Sequence, residues 1–213
     1  MGAVIYILFI SIFMPLFLMM LLVEKKARLP IVFVLVGIFV SVFASEVNGV
    51  LLDVMKMSRY DATITLAPIT EELLKALPIL FYAYVISDKK ENLFTASMAT
   101  GIGFAILENA YYLLINYESF SIISALIRGF GTGLMHGMCT LLVGFGISFI
   151  RKKRKLFAVG TFALLTTAIT YHAIFNMLVQ SKYPAIGAFL PIVTYLPFLI
   201  WRHLKIKKRG LRG

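Results

Sequence analysis

The sequence has few charged residues, one cysteine and no polar linker, and each shortage excludes a class of protein. Only 15% of its 213 residues are charged, whereas a soluble domain carries about a quarter, so an ordinary soluble protein is excluded. The single cysteine, Cys139, excludes an intramolecular disulfide. No serine- or proline-rich stretch divides the chain, so we expect one domain over residues 1–213 and no separate soluble module.

Long apolar runs occupy most of the chain instead. Hydrophobic residues make up 60% of the sequence, and runs of about twenty apolar residues between charged breaks are typical of transmembrane helices. Such runs occupy residues 3–23, 31–52, 62–86, 93–115, 121–150, 156–179 and 185–201. The sequence therefore predicts an all-α, polytopic integral membrane protein with about seven transmembrane helices. The third helix is expected to begin irregularly, because Pro68 fits a helix only in its first turn or at a kink.

The chain is basic, with 21 lysines and arginines against 10 acidic residues, but the positive charge does not indicate nucleic acid. The basic residues gather at the ends of apolar runs, where they orient helices and contact anionic lipid, so the expected partner is the lipid bilayer. Most of them lie in the alternate connections at 24–30, 87–92 and 151–155 and in the tail at 202–213. This bias predicts a multi-pass cell-membrane protein with its N-terminus outside and its C-terminus in the cytoplasm.

Several ionisable residues lie within the predicted spans, where charge is costly and usually functional. At 1.5 Å of rise per residue, four of them fall about 21–24 Å above the inner boundary of the membrane core. These four are Glu46, Glu108, His136 and His172. Glu71 enters from the other side and lies about 13 Å below the outer boundary. The sequence therefore predicts one polar level in the outer half of the membrane.

Spacing within the helices predicts further contacts near this level. Glu71 and Lys75 are four residues apart and can pair on one helix face, and His172 and Asn176 share a face in the same way. Small residues at helical spacing predict close approach of the fourth and fifth helices. They lie at positions 97, 101 and 105 and at positions 129, 133 and 137.

Four segments follow one another in a specific order. They are EELLK at 71–75, FAILEN at 104–109, GLMHG around His136, and HAIFN at 172–176. Together they resemble the motifs of PrsW-type intramembrane proteases, which belong to a wider group with the CAAX prenyl endopeptidases and bacteriocin-processing membrane enzymes. That group usually has Glu-Glu-xxx-Arg and Phe-xxx-His, whereas this chain ends the first motif in lysine and has Phe-xxx-Glu-Asn. Both departures favour the PrsW branch, with residues 62–179 as the motif-bearing core.

The resemblance implies an intramembrane peptidase that cuts a membrane-protein substrate near the extracytoplasmic face, as in the first cut of an anti-sigma factor. The catalytic residues that it implies are Glu71, Glu72, Glu108, His136, His172 and Asn176, with Lys75 and Asn109 in support. In this interpretation Glu71 is the general base, and Glu72 orients it or binds substrate. Glu108 helps to hold the water, and His136 polarises the carbonyl or binds metal. His172 and Asn176 form an oxyanion site.

Two chemistries remain open for this set, and one rival function is considered. The carboxylates and histidines act directly, or His136 and His172 bind a divalent metal such as zinc with Glu108 or Glu72. The alternative function is a proton- or ion-coupled secondary transporter, because buried Glu and His residues also relay protons. The absence of an inverted sequence repeat counts against a transporter.

Three further polar residues have simpler expectations. Arg128, near the outer end of its span, is expected to snorkel to the membrane interface. Glu46 and Asn48 match no motif, so we expect them to have supporting or structural roles.

Overall fold

The computed structural model describes residues 4–116 and 122–210, and within these ranges it contains helices and no strand. The seven long helices are α1 (Val4–Leu22), α2 (Lys25–Met55), α3 (Ala67–Val85), α4 (Lys90–Ile115), α5 (Ile122–Ile147), α6 (Arg154–Val179) and α7 (Pro184–Gly210). Each contains most of one predicted apolar run, so the all-α, polytopic prediction is confirmed.

Five stretches of the described chain are long and apolar enough to cross a membrane. They are Val4–Leu22, Ala27–Met55, Lys90–Ile115, Arg128–Ile147 and Arg154–Val179, and a shorter apolar helix covers Pro184–Tyr195. The α3 helix is less apolar because Glu71, Glu72 and Lys75 lie within its 19 residues. Composition alone thus identifies five of the seven predicted spans, with a shorter apolar helix in α7. The α3 helix, which carries the first motif, is in neither group.

The irregular start predicted for the third helix is confirmed. A short helical turn, Arg59–Asp61, is followed by a π-helix, Ala62–Leu66, which continues directly into α3. Pro68 lies in the first turn of α3, where its missing N–H breaks no regular α-helical bond. Such π-helical turns are frequent at functional sites, and this one precedes the Glu71–Lys75 motif.

The α4 helix packs between α2 and α5, and α5 also packs against α6 and α7. A β-carbon added to Gly101 on α4 would overlap the backbone carbonyl of His136 on α5, so glycine allows these two helices to touch. Gly137 lies at the same contact. Gly129 and Gly133 have no described atom within 4 Å of such a β-carbon. The small-residue prediction is therefore confirmed for Gly101 and Gly137 and wrong for the two outer glycines.

Buried apolar side chains fill the interior between α3, α4, α5 and α6, among them Ile79, Leu93, Met135 and Phe175. Lipid tails are as apolar as these side chains, so burying the side chains gains little from removing them from water. The buried side chains therefore stabilise the bundle by close packing. The same interior encloses Glu72, Lys75, His136 and His172, each at most 1% exposed. The packed helices therefore fix where these four ionisable groups can lie.

Candidate functional site

A chain of close polar contacts connects four helices inside the bundle. Lys75 Nζ lies 2.6 Å from Glu72 Oε1 and 2.8 Å from His136 Nδ1. His136 Nε2 lies 2.6 Å from Glu108 Oε2, and His172 Nδ1 lies 2.9 Å from the same Glu72 oxygen. The ionisable residues of α3, α4, α5 and α6 therefore meet at one level.

The four-residue spacing predicted that Lys75 can pair with Glu71. In the structure Lys75 pairs with Glu72 instead. A spacing of three residues also brings two side chains onto one helix face, and both Lys75 and Glu72 have fully buried side chains. Glu71 turns away toward α2 and α6. Its Oε1 accepts a hydrogen bond from Asn48 Nδ2 at 3.4 Å, and its Oε2 lies 3.8 Å from His172 Nε2.

The contacts of His136 determine where its ring proton lies. The ammonium of Lys75 has donors and no acceptor, so His136 Nδ1 accepts from it. The ring proton of the neutral imidazole is then on Nε2, which donates to Glu108 Oε2. Both nitrogens of His136 therefore have partners in this arrangement.

His172 has the opposite arrangement, with one nitrogen left over. Ionised Glu72 only accepts hydrogen bonds, so the proton of neutral His172 is on Nδ1 and Nε2 carries a lone pair. That lone pair faces Glu71 Oε2, which is buried and has no hydrogen-bond partner among the residues that the structure describes. Two buried acceptors in this position need a shared proton or a cation between them.

Glu71, His136 and His172 form a candidate metal centre. One donor atom from each lies within 4.8 Å of the other two, and two imidazoles with one carboxylate are the donors of many catalytic zinc sites. Zinc bonds of 2.0–2.2 Å bring ligand atoms to about 3.4 Å from one another, close to the 3.8 Å between Glu71 Oε2 and His172 Nε2. His136 joins such a site only by exchanging one of its two present contacts.

The carboxylate in this group differs from the ones that the sequence suggested. Glu108 and Glu72 were the expected donors, but Glu108 is already held by His136 and lies 3.6 Å from Arg128 Nη2. Glu72 is held by Lys75 and His172. In both Glu71 and Glu72, Oε2 is buried and has no hydrogen-bond partner among the described residues. The Oε2 of Glu71 also lies 3.8 Å from His172 Nε2, and Glu71 lines the cavity, which makes it the candidate ligand.

A cavity of about 520 Å³ lies beside the cluster, and Glu71, Glu108, Arg128 and Asn176 contribute to its wall. Glu72 is 1% exposed and lies behind that wall. Glu71 therefore borders a space large enough to hold water. Glu72 contacts Lys75 and His172 and has no described contact with Glu71, so its role of orienting Glu71 or binding substrate stays a prediction.

Arg128 lines this cavity, and its predicted snorkelling to the membrane interface stays a prediction. Its side chain is 12% exposed, and its guanidinium lies 3.8 Å from the centre of the Tyr112 ring. The ring face and the nearby Glu108 carboxylate both attract a cation. These two contacts explain why the guanidinium is held beside the cavity.

Asn176 connects α6 to the start of α3. Its Nδ2 donates to the Thr63 carbonyl at 3.0 Å. Within a π-helix the carbonyl of residue 63 would accept from the N–H of residue 68, and Pro68 has none. Asn176 thus supplies the missing donor. The bond to Thr63 uses one of the two amide hydrogens of Asn176. Asn176 also lines the cavity, and its oxyanion role stays a prediction.

Three other residues named from the sequence lie apart from the cluster. Asn109 Oδ1 is buried and has no hydrogen-bond partner within residues 4–116 and 122–210, so its supporting role stays a prediction. Glu46 accepts a hydrogen bond from the Tyr6 hydroxyl at 2.9 Å and faces away from the site. Cys139 is fully buried, with its Sγ 3.7 Å from the Ala168 carbonyl, as a small structural thiol would be.

Sequence reasoning expected a supporting or structural role for Asn48 without naming its partners, and it did not single out Thr70. The Thr70 hydroxyl donates to Asn48 Oδ1, and Asn48 Nδ2 contacts Glu71. A polar amide in an apolar span is itself a signal of function, and Thr70 directly precedes the first motif glutamate. No rule of spacing, however, connects a residue of α2 with one of α3.

Comparison with known proteins supports the motif assignment. The model of a family described as PrsW family intramembrane metalloprotease matches residues 25–202, which is most of the chain and includes all four motifs. No curated protein sequence and no solved structure matches the chain. The family that the motifs indicated is therefore confirmed by a match over α2 to α6, the helices that carry the buried cluster and the cavity.

Proposed function

The chain belongs to the PrsW family of intramembrane metalloproteases, and from this premise we propose that it cuts a single-span membrane protein near the extracytoplasmic face. The proposal rests on one observation above all. Glu71 Oε2 has no hydrogen-bond partner within the described chain, faces His172 Nε2 at 3.8 Å, and belongs to a residue on the wall of a cavity. A reachable carboxylate with a vacant oxygen beside a histidine lone pair is suited to accept a proton from water.

The residues of the chain divide the work of peptide hydrolysis. Glu71 accepts the proton of the attacking water and delivers it to the leaving amine. Glu72 holds the proton of His172 on Nδ1, so that Nε2 keeps its lone pair toward Glu71. Lys75 neutralises Glu72 in an interior where an unpaired charge would be costly. Glu108 faces the cavity beside Glu71 and meets the peptide there.

The family description implies a metal, and zinc suits the donors present. Glu71, His136 and His172 are the residues that would hold it. With Oε2 bound in this way, Glu71 would serve as a ligand in place of its role as general base. When bound, zinc would polarise the scissile carbonyl and lower the pKa of its water.

Cleavage assays with the purified protein test this function. We expect a single-span substrate to be cut into two fragments whose masses locate the cut in the outer part of its span. A chelator should stop the reaction and added zinc should restore it, because the donor set favours zinc. Full activity in the chelator would contradict the metal assignment. Intact substrates under every condition would contradict the protease assignment for those substrates.

We propose an anti-sigma-factor-like protein as the natural substrate class, on the strength of the motif resemblance. In the assay this class should be cut faster than unrelated single-span proteins of equal span length. Equal rates would show that the enzyme recognises the span without regard to the attached domain.

We propose the cell membrane as the location, with the N-terminus outside, because the basic residues gather in alternate connections. A reporter fused after Gly213 should be active only as a cytoplasmic fusion, and one inserted in the connection 116–120 only as an external one. Enzymatic reporters of opposite compartment preference measure this directly. The proposed orientation is wrong if both reporters lie on the same side of the membrane. It is also wrong if the Gly213 fusion is external and the 116–120 insertion is cytoplasmic.

A further inference from the structure

We infer that Asn48 and Thr70 are positioning residues that fix the Glu71 carboxylate for the reaction. The inference rests on the proposed function, in which Glu71 receives the proton of water. It adds two residues to the active site that belong to none of the four motifs. One of them is on α2, which otherwise contributes no residue to the catalytic cluster.

The contacts form a short relay that ends on one oxygen of Glu71. The Thr70 hydroxyl donates to Asn48 Oδ1, and Asn48 Nδ2 donates to Glu71 Oε1 at 3.4 Å. Asn48 and Glu71 both contribute to the wall of the cavity. The relay therefore lies beside the space that a substrate would enter.

Only one arrangement of hydrogens suits all three groups. Ionised Glu71 has acceptors and no donor, so the NH₂ end of Asn48 must face it. The carbonyl end of Asn48 then faces Thr70, whose single hydroxyl hydrogen must point toward it. Thr70 has other acceptors in reach, including the Ala67 carbonyl at 3.1 Å, and giving its hydrogen to one of these would leave Asn48 free to turn over.

The relay determines which oxygen of Glu71 is left vacant. Asn48 approaches Oε1 from α2, whereas Oε2 faces His172 on α6. A glutamate side chain has several rotatable bonds, and Lys75 one turn away and Arg128 across the cavity both attract it. A donor on the α2 side keeps the carboxylate turned so that Oε2 stays toward His172. Partners of this kind typically change activity by about 10–100-fold when they are removed.

Kinetic measurements on three variants at Thr70 and Asn48 test the inference. Thr70→Val keeps the side-chain shape and removes the hydroxyl, and Asn48→Leu keeps the approximate volume and removes the amide. In Asn48→Leu the Thr70 hydroxyl can turn to the Ala67 carbonyl, so no buried donor is stranded. For both we expect kcat to fall about 10–100-fold with a smaller change in KM, because the lost hydrogen bonds act on Glu71 rather than on the substrate. Thr70→Ser restores the hydroxyl and should restore most of kcat.

The matched control is Thr65→Val, which removes a hydroxyl whose one partner among the described residues is the Asp61 carbonyl at 2.7 Å. The melting temperatures of the Thr65→Val and Thr70→Val proteins should agree, and kcat should fall only in the second. Equal kcat values for the two would overturn the inference, as would a Thr70→Ser protein no better than Thr70→Val. Failure of the proposed function is distinguishable, because it would appear as normal cleavage by a Glu71→Gln protein.

Discussion

Glu71→Gln is expected to reduce cleavage by at least about 10²–10⁴-fold, the usual contribution of a general base. Glutamine has nearly the same shape but cannot accept the proton of water at neutral pH. The substitution should leave the fold intact. Its amide oxygen can still accept from Asn48 Nδ2, and its NH₂ group can donate to the His172 Nε2 lone pair. Loss of activity would therefore report on chemistry rather than on folding.

Turnover of one purified substrate by the wild-type and variant proteins measures the effect, with melting temperatures recorded for both. Glu46→Gln is the matched control, since it removes the same charge from a residue that contacts Tyr6 outside the cavity. We expect it to cleave at close to the wild-type rate. A Glu71→Gln protein that turns over normally would remove Glu71 from the reaction.

Zinc content separates the two tasks that Glu71 can perform. If the variant is inactive and still binds zinc tightly, the lost function is proton transfer. If zinc binding falls with activity, Glu71 is also needed to hold the metal. Either result leaves Glu71 in the active site and assigns its role more closely.

The sequence predicts the helices and the polar level well, because both depend on distances along the chain. Apolar runs give the helix positions, and a constant rise per residue gives depth. Glu71, Glu108, His136 and His172 meet as this reasoning requires. Glu46 was predicted at the same level but contacts Tyr6 instead of these residues. Depth is therefore predictable from counting, and membership of a cluster is not.

Individual partners could not be predicted, because they depend on the rotation of each helix about its axis and on bends. Lys75 can reach either neighbouring glutamate by spacing, and packing selects Glu72. The tie between Asn176 and Thr63 exists because a π-helix precedes Pro68 and leaves a carbonyl without its donor. Arg128 packs over the ring face of Tyr112. Each outcome depends on atoms from a second helix that the local sequence does not contain.

Lys75→Met is expected to lower the free energy of unfolding by about 3–5 kcal/mol, the usual cost of removing one partner from a buried ion pair. The side chains of Lys75 and Glu72 are both 0% exposed, with 2.6 Å between Nζ and Oε1. Methionine fills similar space and keeps contact with the Phe104 ring, over which Lys75 Nζ lies at 4.7 Å. The loss would therefore come from the stranded Glu72 charge rather than from a cavity.

The double variant Glu72→Gln with Lys75→Met provides the decisive comparison. With both charges removed, the interior holds no stranded ion, so we expect the double variant to be more stable than Lys75→Met alone. Activity should stay low in both variants. In the double variant His172 has no carboxylate to accept its Nδ1 proton, and in Lys75→Met that carboxylate has lost its lysine partner. Thermal unfolding in detergent measures the first effect and cleavage the second.

Lys90→Met serves as the matched control for this pair of measurements. Lys90 is exposed at the start of α4, and its Nζ lies 4.4 Å from the centre of the Phe145 ring, so the substitution removes a lysine beside an aromatic ring without stranding a buried carboxylate. A change within about 0.5 kcal/mol is expected there. If Lys75→Met were no more destabilising than Lys90→Met, Glu72 would have to be uncharged in the folded protein. The interior would then lack the ion pair that orients His172, and the assignment of its proton to Nδ1 would need a different origin.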